Sequence, residues 1–226
     1  MYCLACQDEI IIQITWANLF QLSQPTAICE ECAAGLKLLE GGRCKKCSRT
    51  TEEVICSDCL FWERQAEMNT IEFNYSVFVY NEKIQDIVAK WKYRGDYALG
   101  EVFRDYVSRA FRKRFSFLNK ESLAVPIPLS TERAMERGFN QAYQLADFLP
   151  IASSNVLSRK HGEKQSKKSR MERIATENPF FIRKSINKAV VLVDDIYTTG
   201  TTLRHAAQLL KQHGCPNVYA FTLIRG

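Results

Sequence analysis

The stretch VVLVDDIYTTGTT, residues 190–202, sets four apolar residues directly before two adjacent carboxylates, then turns through small hydroxyl residues around one glycine. Residues 189–193 are a continuous apolar run, which fits a strand buried on both faces, as in a parallel sheet. Thr201–Gln212 follows with Leu203, Ala206, Ala207 and Leu210 at helical spacing, and Gly214 stops it. Residues 218–224 read as the next strand. Strand, helix and strand in close succession make a βαβ unit. Asp194 and Asp195 then fall at the carboxyl end of a strand, and Thr198, Thr199, Gly200, Thr201 and Thr202 form the turn into a helix. Ligands of open α/β sheets sit at that place.

The chemistry of the turn is specific. A helix start carries free N–H groups and partial positive charge, which favour a phosphate. Glycine lets the backbone approach it closely, and threonine hydroxyls add donors. The two carboxylates cannot face the same phosphate; they need donors or a cation. A sugar diol supplies donors, and Mg²⁺ on the diol supplies the cation. The stretch therefore suits a ribose 5-phosphate unit, with its diol on the acids and its phosphate in the turn. Adjacent acids alone would be a solvated turn, and a threonine-glycine run alone a helix cap; their order carries the reading.

Outward from this unit, residues 71–80 read as a strand, and Ile84, Ile87, Val88 and Trp91 give a helix ending at Arg94 and Gly95. Residues 97–117 are expected as a second helix, 123–128 as a short strand, and 138–149 as a helix. Residues 158–170 are polar and basic and read as a loop; 171–176 read as a short helix and 180–182 as a short strand. No internal repeat is evident beyond the paired cysteines. The expected fold is α/β, a doubly wound parallel sheet over residues 63–226, preceded by a small cysteine-rich module over 1–62.

Composition bounds the class. Of 226 residues, 46% are apolar and 25% charged, which fits a folded chain with one ordinary core and a small second module. No apolar run reaches the ~20 residues that span a bilayer, and the first ten residues lack the pattern of a signal peptide. Both point to the cytoplasm. Residues 1–62 hold 5 basic and 8 acidic side chains, whereas the remainder holds 26 and 17. The larger part is thus the basic one and suits anionic partners.

Eight of nine cysteines form four CxxC pairs: Cys3 and Cys6, Cys29 and Cys32, Cys44 and Cys47, Cys56 and Cys59. In a reducing compartment this pattern reads as metal binding rather than disulfides. Two pairs complete a thiolate tetrahedron at ~2.3 Å per Zn–S bond, so one or two structural zinc ions are expected. Sequential pairing is favoured, and interleaved pairing of the first with the third and the second with the fourth stays open. In residues 90–96, Lys90, Lys92 and Arg94 alternate with Trp91 and Tyr93, a pattern that suits single-stranded nucleic acid. Trp91 also completes the apolar helix face, which makes it a core residue. Phe180, Phe181 and Tyr197 are open between stacking on a base and core packing.

The 190–202 stretch resembles the phosphoribosyl-pyrophosphate (PRPP) motif of type I phosphoribosyltransferases. Together with the four CxxC pairs, KYRGD (92–96), VPIPLS (125–130), ERGFNQA (136–142) and KQSKKSR (164–170), it resembles the ComF family of competence proteins, in particular its ComFC-like members. The likeness spans nearly the whole chain. It implies a phosphoribosyltransferase fold behind a zinc-binding module, and a cytoplasmic role in natural transformation. In that role the protein would handle incoming single-stranded DNA with a ComFA-like helicase, which would bring it to the inner face of the membrane. The resemblance further implies that the loop after VPIPLS holds pyrophosphate, with Arg133 or Arg137 as the phosphate-binding guanidinium. It implies that a loop carrying Lys164, Lys168 and Arg170, with Lys167, closes over PRPP and neutralises the leaving pyrophosphate. The same lysines, Lys167 above all, equally suit DNA phosphates.

Three functions fit these residues: a DNA-uptake adaptor that retains the phosphoribosyl site, a transferase acting on PRPP with Mg²⁺, and a zinc-ribbon nucleic-acid binder with a degenerate α/β scaffold. Intact Asp194 and Asp195 disfavour the third. Fold alone does not choose between the first two.

Overall fold

The computed structural model describes residues 1–11, 27–160 and 177–226. A five-stranded sheet forms the centre, in the order β1 (Asn74–Val79), β7 (Val218–Arg225), β6 (Val190–Tyr197), β2 (Leu123–Pro126) and β3 (Ala152–Ser153). Every pairing in it is parallel. Strand β6 is central, and its first four residues are fully buried, as its unbroken apolar run requires. Its register sets Val193 opposite Phe221 and Asp194 opposite Thr222. A separate two-stranded antiparallel pair joins β4 (Leu157–Arg159) to β5 (Phe180–Ile182).

Helices cover both faces. On one lie α3 (Glu82–Tyr93), a 3₁₀ segment over Tyr97–Phe103 and α4 (Arg104–Arg114), burying Ile84, Trp91, Phe103 and Phe111 against Phe78 and Phe221. On the other, α7 (Thr201–Gln212) buries Leu203, Ala206 and Leu210 against Val190, Leu192 and Ala220. Asn81 caps α3 by accepting from the Ile84 N–H at 2.9 Å, a standard satisfaction of a free helix donor.

Three expectations change in detail. Residues 97–103 are 3₁₀ rather than α; a Cβ at Gly100 would overlap the Gln144 side chain, so that turn is pressed close to its neighbour. Residues 131–137 form a helix, α5 (Thr131–Arg137), which buries no side chain and so shows no apolar period. Gly138 is its left-handed C-terminal stop, at φ +77°, rather than the start of the next helix, α6 (Gln141–Asp147). Residues 158 and 159 belong to β4 and not to a loop. The short helix expected over 171–176, and the loop cations Lys164, Lys167, Lys168 and Arg170, lie outside the described residues.

The cysteine module lies along the edge of β1. Leu39 N–H donates to Val77 O at 2.8 Å, Val79 N–H to Lys37 O at 3.0 Å and Asn74 N–H to Lys46 O at 2.7 Å, so the exposed edge of the sheet is covered. The module has an internal repeat after all. Cys3 and Cys6 are followed by Gln7 at φ +69°, and Cys44 and Cys47 by Ser48 at φ +61°. Bridges Tyr2–Glu9 and Arg43–Thr50 close the two loops. Cys29 and Cys56 then stand at the N-caps of α1 (Glu30–Ala34) and α2 (Ser57–Glu63) with nearly identical dihedrals. The spacer runs from Cys6 to Cys29 in one half but only from Cys47 to Cys56 in the other, which hides the period in the sequence.

Candidate functional site

Strand order reverses between β2 and β6: from β2 the chain runs outward to β3, then returns to β6 on the other side and proceeds to β7. Such a switch point opens a crevice at the carboxyl ends of the strands. The Ile127 N–H still donates to Val193 O at 2.9 Å, and beyond it the β2–β6 ladder ends. The segment Asp194 to Thr201 follows on one strand and the loop into α5 on the other.

Asp194 and Asp195 are the fifth and sixth of the eight residues of β6, past the end of its ladder with β2, and both are partly buried. The Asp195 N–H donates to Asp194 Oδ1 at 2.9 Å. Burial, and then the Asp195 charge, push the Asp194 carboxyl up to about 7, against the pull of the Asp195 N–H, Lys92 and Arg159. A carboxyl so placed is half-protonated near neutrality and is relieved by a cation or by hydroxyl donors.

Lys92, expected among nucleic-acid contacts, is buried and forms an ion pair with Asp195 Oδ2. Packing explains this. Trp91 Nε1 donates to Gln144 Oε1 at 2.9 Å and Gln141 Nε2 donates to Trp91 O at 3.5 Å, which fixes the last turn of α3 and directs the next side chain to the acids. The KYRGD and GFNQA segments therefore act on each other. Of the other two residues in that expectation, Arg94 is exposed, whereas Lys90 is half-buried, bonded to Ala5 O at 3.3 Å and paired with Asp86 at 2.8 Å.

The turn into α7 has the features of an anion cradle. Gly200 lies at φ +78°, and a Cβ there would overlap the Tyr197 hydroxyl and ring, so only glycine fits. The N-cap residue of α7 is Gly200, which has no side chain to cap it, and no acid lies in the first turn; the Thr201 N–H donates to Thr199 Oγ1 at 3.4 Å, and the helix donors that follow it suit an anion. Thr199 Oγ1 and Thr201 Oγ1 are bonded at 2.9 Å; Thr198 is exposed and Thr202 half-exposed. Tyr197 is the buried prop under this turn, its phenol pushed up to about 12 by burial. Phe180 is buried as well, and Phe181 is 42% exposed.

Across the crevice, Asn140 Nδ2 donates to Ile127 O at 2.9 Å and braces the loop. Ser130 caps α5 at 3.4 Å from the Arg133 N–H. Arg137 is engaged elsewhere, donating to Gln141 Oε1 at 3.0 Å and lying over the Tyr93 ring. Arg133 is close enough to Arg159 to depress its ionisation, after burial, while Asp194 favours it. Arg159, at the end of β4, is a site residue that sequence reasoning did not single out. Its only local signal was membership of a basic run.

The two cysteine groups are sequential: Cys3, Cys6, Cys29 and Cys32; then Cys44, Cys47, Cys56 and Cys59, with the sulfurs of each group within 4.8 Å of one another. A zinc tetrahedron with ~2.3 Å bonds has S···S edges of ~3.8 Å. Cys6 and Cys29 sulfurs lie 3.8 Å apart and those of Cys47 and Cys56 3.6 Å apart. Backbone N–H groups of Cys29 and Cys56 donate to the sulfurs of Cys3 and Cys44 at 3.3 and 3.4 Å, as suits thiolates. Within the second group the Cys59 thiol draws Cys47 down to about 4, while Cys59 itself is raised by Cys47 and by burial; four crowded thiols cannot all ionise without a cation. The all-sulfur donor set suits zinc, and with four thiolates each site is closed, hence structural.

The second group stands directly behind the turn into α7. Trp62, at the end of α2, donates from Nε1 to Thr199 O at 3.1 Å. Arg204 of α7 lies 4.8 Å over the Trp62 ring and donates to Met68 O at 3.1 Å. Arg225 lies 4.9 Å over the Tyr197 ring, donates to Tyr197 O at 3.1 Å and reaches Cys47 Sγ at 3.8 Å.

Residues 135–226 match the phosphoribosyl transferase domain family. Competence protein ComFC of Bacillus subtilis (strain 168) is 37% identical over 230 residues, covering 100% of this chain and 95% of the relative. Competence protein ComFC of Streptococcus pneumoniae is 31% identical over 228 residues and 100% of both chains. Competence protein F of Haemophilus influenzae is 26% identical, over 87% of this chain and 96% of its own. With a parallel sheet, a switch-point crevice at DDIYTTGTT and two four-cysteine groups in place, the chain belongs to the ComFC family of competence proteins and carries a phosphoribosyltransferase domain.

Proposed function

We propose that this protein serves natural transformation in the cytoplasm, handling incoming single-stranded DNA with a ComFA-like helicase, and that it binds PRPP or a ribose 5-phosphate unit in the crevice between β2 and β6. The names of its relatives support the competence role. One arrangement supports the ligand: the acid pair Asp194 and Asp195 stands a few residues from a helix start with glycine at its N-cap and no acid in its first turn, at the sheet's switch point. Asp194 and Asp195 receive the ribose hydroxyls, with Lys92 holding Asp195 in place. Thr198 to Thr202 receive the 5-phosphate. Arg133 would bind a pyrophosphate, with Arg159, whose charge is felt by Asp194, as a second candidate.

Mg²⁺, arriving with PRPP, would neutralise the pyrophosphate and relieve the two adjacent acids. Zinc in the two four-cysteine groups would fix the module, residues 1–62, against the domain at 63–226. No helix among the described residues is long and apolar enough to cross a membrane. The intact acid pair also favours a second reading, a transferase that displaces pyrophosphate from the anomeric carbon. Incubation with labelled PRPP, Mg²⁺ and nucleoside or nucleic-acid acceptors tests both. Saturable binding without pyrophosphate release supports the adaptor, release supports the transferase, and no binding refutes the site.

A further inference from the structure

A second cleft, of about 350 Å³, opens at the other end of the sheet, between the second cysteine loop, the amino end of β1 and the last turn of α4. Four cations line it: Arg43 and Lys45 from the loop, Lys113 and Arg114 from α4. Phe73 and Tyr75 complete the wall, and the lining includes no carboxylate among the described residues. Phe73 lies just before β1, at the amino end of the sheet, whereas Asp194 lies in the carboxyl half of β6, so this cleft is separate from the proposed phosphoribosyl site.

The cations are held in a particular way. Arg114 lies 4.2 Å over the Phe73 ring and Arg43 4.9 Å over the Tyr75 ring. A guanidinium held over an aromatic ring by a cation–π contact still has N–H donors to offer to oxygen acceptors. Arg43 Nη1 is buried and has no hydrogen-bond partner among the described residues. A buried donor without an acceptor is costly until one arrives. Lys45 and Lys113 are exposed at the rim, and Arg112, Lys113 and Arg114 crowd the last turn of α4.

We propose that this cleft binds single-stranded nucleic acid, one nucleotide at a time. A backbone phosphate meets the Arg43 N–H edge and the rim lysines, and a base stacks on the outer face of Arg43 or Arg114. The pairing of Arg43 with Tyr75 and of Arg114 with Phe73 favours this over an acidic peptide, which offers charge but no π face to stack on such side chains. The proposal deepens the DNA-handling role above and rests on it.

Anisotropy of a labelled oligothymidylate over a salt series tests it on the full-length, metal-loaded protein. Lys45→Glu with Lys113→Glu is the fold-safe variant, since both side chains are exposed; Lys184→Glu with Lys188→Glu makes the same charge change elsewhere. We expect the first pair to weaken binding at least about tenfold and to flatten the log–log salt slope by about 1.4, for two lost phosphate contacts. The second pair leaves affinity within about twofold, and PRPP does not displace the oligonucleotide. Unchanged affinity in the first pair, or displacement by polyglutamate as effective as by unlabelled oligonucleotide, overturns the cleft assignment alone. A wild-type protein that does not bind the oligonucleotide overturns the DNA-handling role with it.

Discussion

The indole N–H of Trp62 donates to the carbonyl oxygen of Thr199 at 3.1 Å, joining the end of the cysteine module to the middle of the phosphate turn. The residues are far apart in the chain, and Trp62 is 1% exposed. The module therefore braces the turn for which we propose anion binding. Trp62→Phe keeps the ring and deletes the donor. One hydrogen bond of about 1 kcal/mol corresponds to roughly fivefold. The expected outcome is about a fivefold loss of PRPP affinity by calorimetric titration, with metal content unchanged.

The two metal groups should differ in their reach. The second packs against Tyr197 and Leu203 beneath the turn, whereas the first packs among residues of α3 and its neighbours. Because metal binding in such sites is itself folding free energy, Cys59→Ser should lower the thermal midpoint by more than about 5 °C. It should also abolish PRPP binding. Cys3→Ser should destabilise the protein but leave detectable binding. Equal loss of binding in the two variants would argue against a special role for the second group.

Lys92 and Asp195 form an ion pair with side chains only 11% and 15% exposed. Removing one partner of such a pair leaves a poorly hydrated charge and typically costs about 3–5 kcal/mol. Lys92→Met should destabilise the protein by that order at pH 8. Urea melts at pH 8 check this; an unchanged midpoint would mean that the ion pair contributes nothing to stability.

Asp194 gives the opposite sign to an ordinary salt-bridged carboxylate. Its carboxyl is raised from 3.8 to about 7 in the folded protein, so the folded state binds a proton more tightly than the unfolded one. That contribution is complete below about pH 4 and is lost as pH climbs to about 7. Asp194→Asn, which cannot ionise, should be more stable than the ligand-free parent at pH 8 by roughly 1–3 kcal/mol, and indistinguishable from it near pH 4. Thermal melts across pH 4 to 8 read the difference.

Much of the site is legible in sequence because its parts are local. The buried run of β6, the turn glycine and the span Thr201–Gln212 each follow from neighbours within a few residues. What stays hidden depends on third parties. Lys92 reads as one cation of an aromatic-basic segment until packing of Trp91 on Gln144 directs it to Asp195. Arg159 reads as the start of a basic loop until β4 pairs with β5 and carries it towards Asp194. Helix α5 has no buried side chain, so no apolar period announces it. Trp62 carries no sequence sign of its bond to Thr199, since neither residue belongs to a motif shared with the other.

The most direct measurement is calorimetric titration of PRPP with Mg²⁺ into the wild-type protein and into the double variant Asp194→Ala with Asp195→Ala, alongside the isosteric asparagine pair. Saturable binding to the wild type is expected, with a loss of at least about a hundredfold in both variants and thermal melts that confirm folding of the asparagine pair. Affinity that is unchanged in a folded variant would contradict the proposed site.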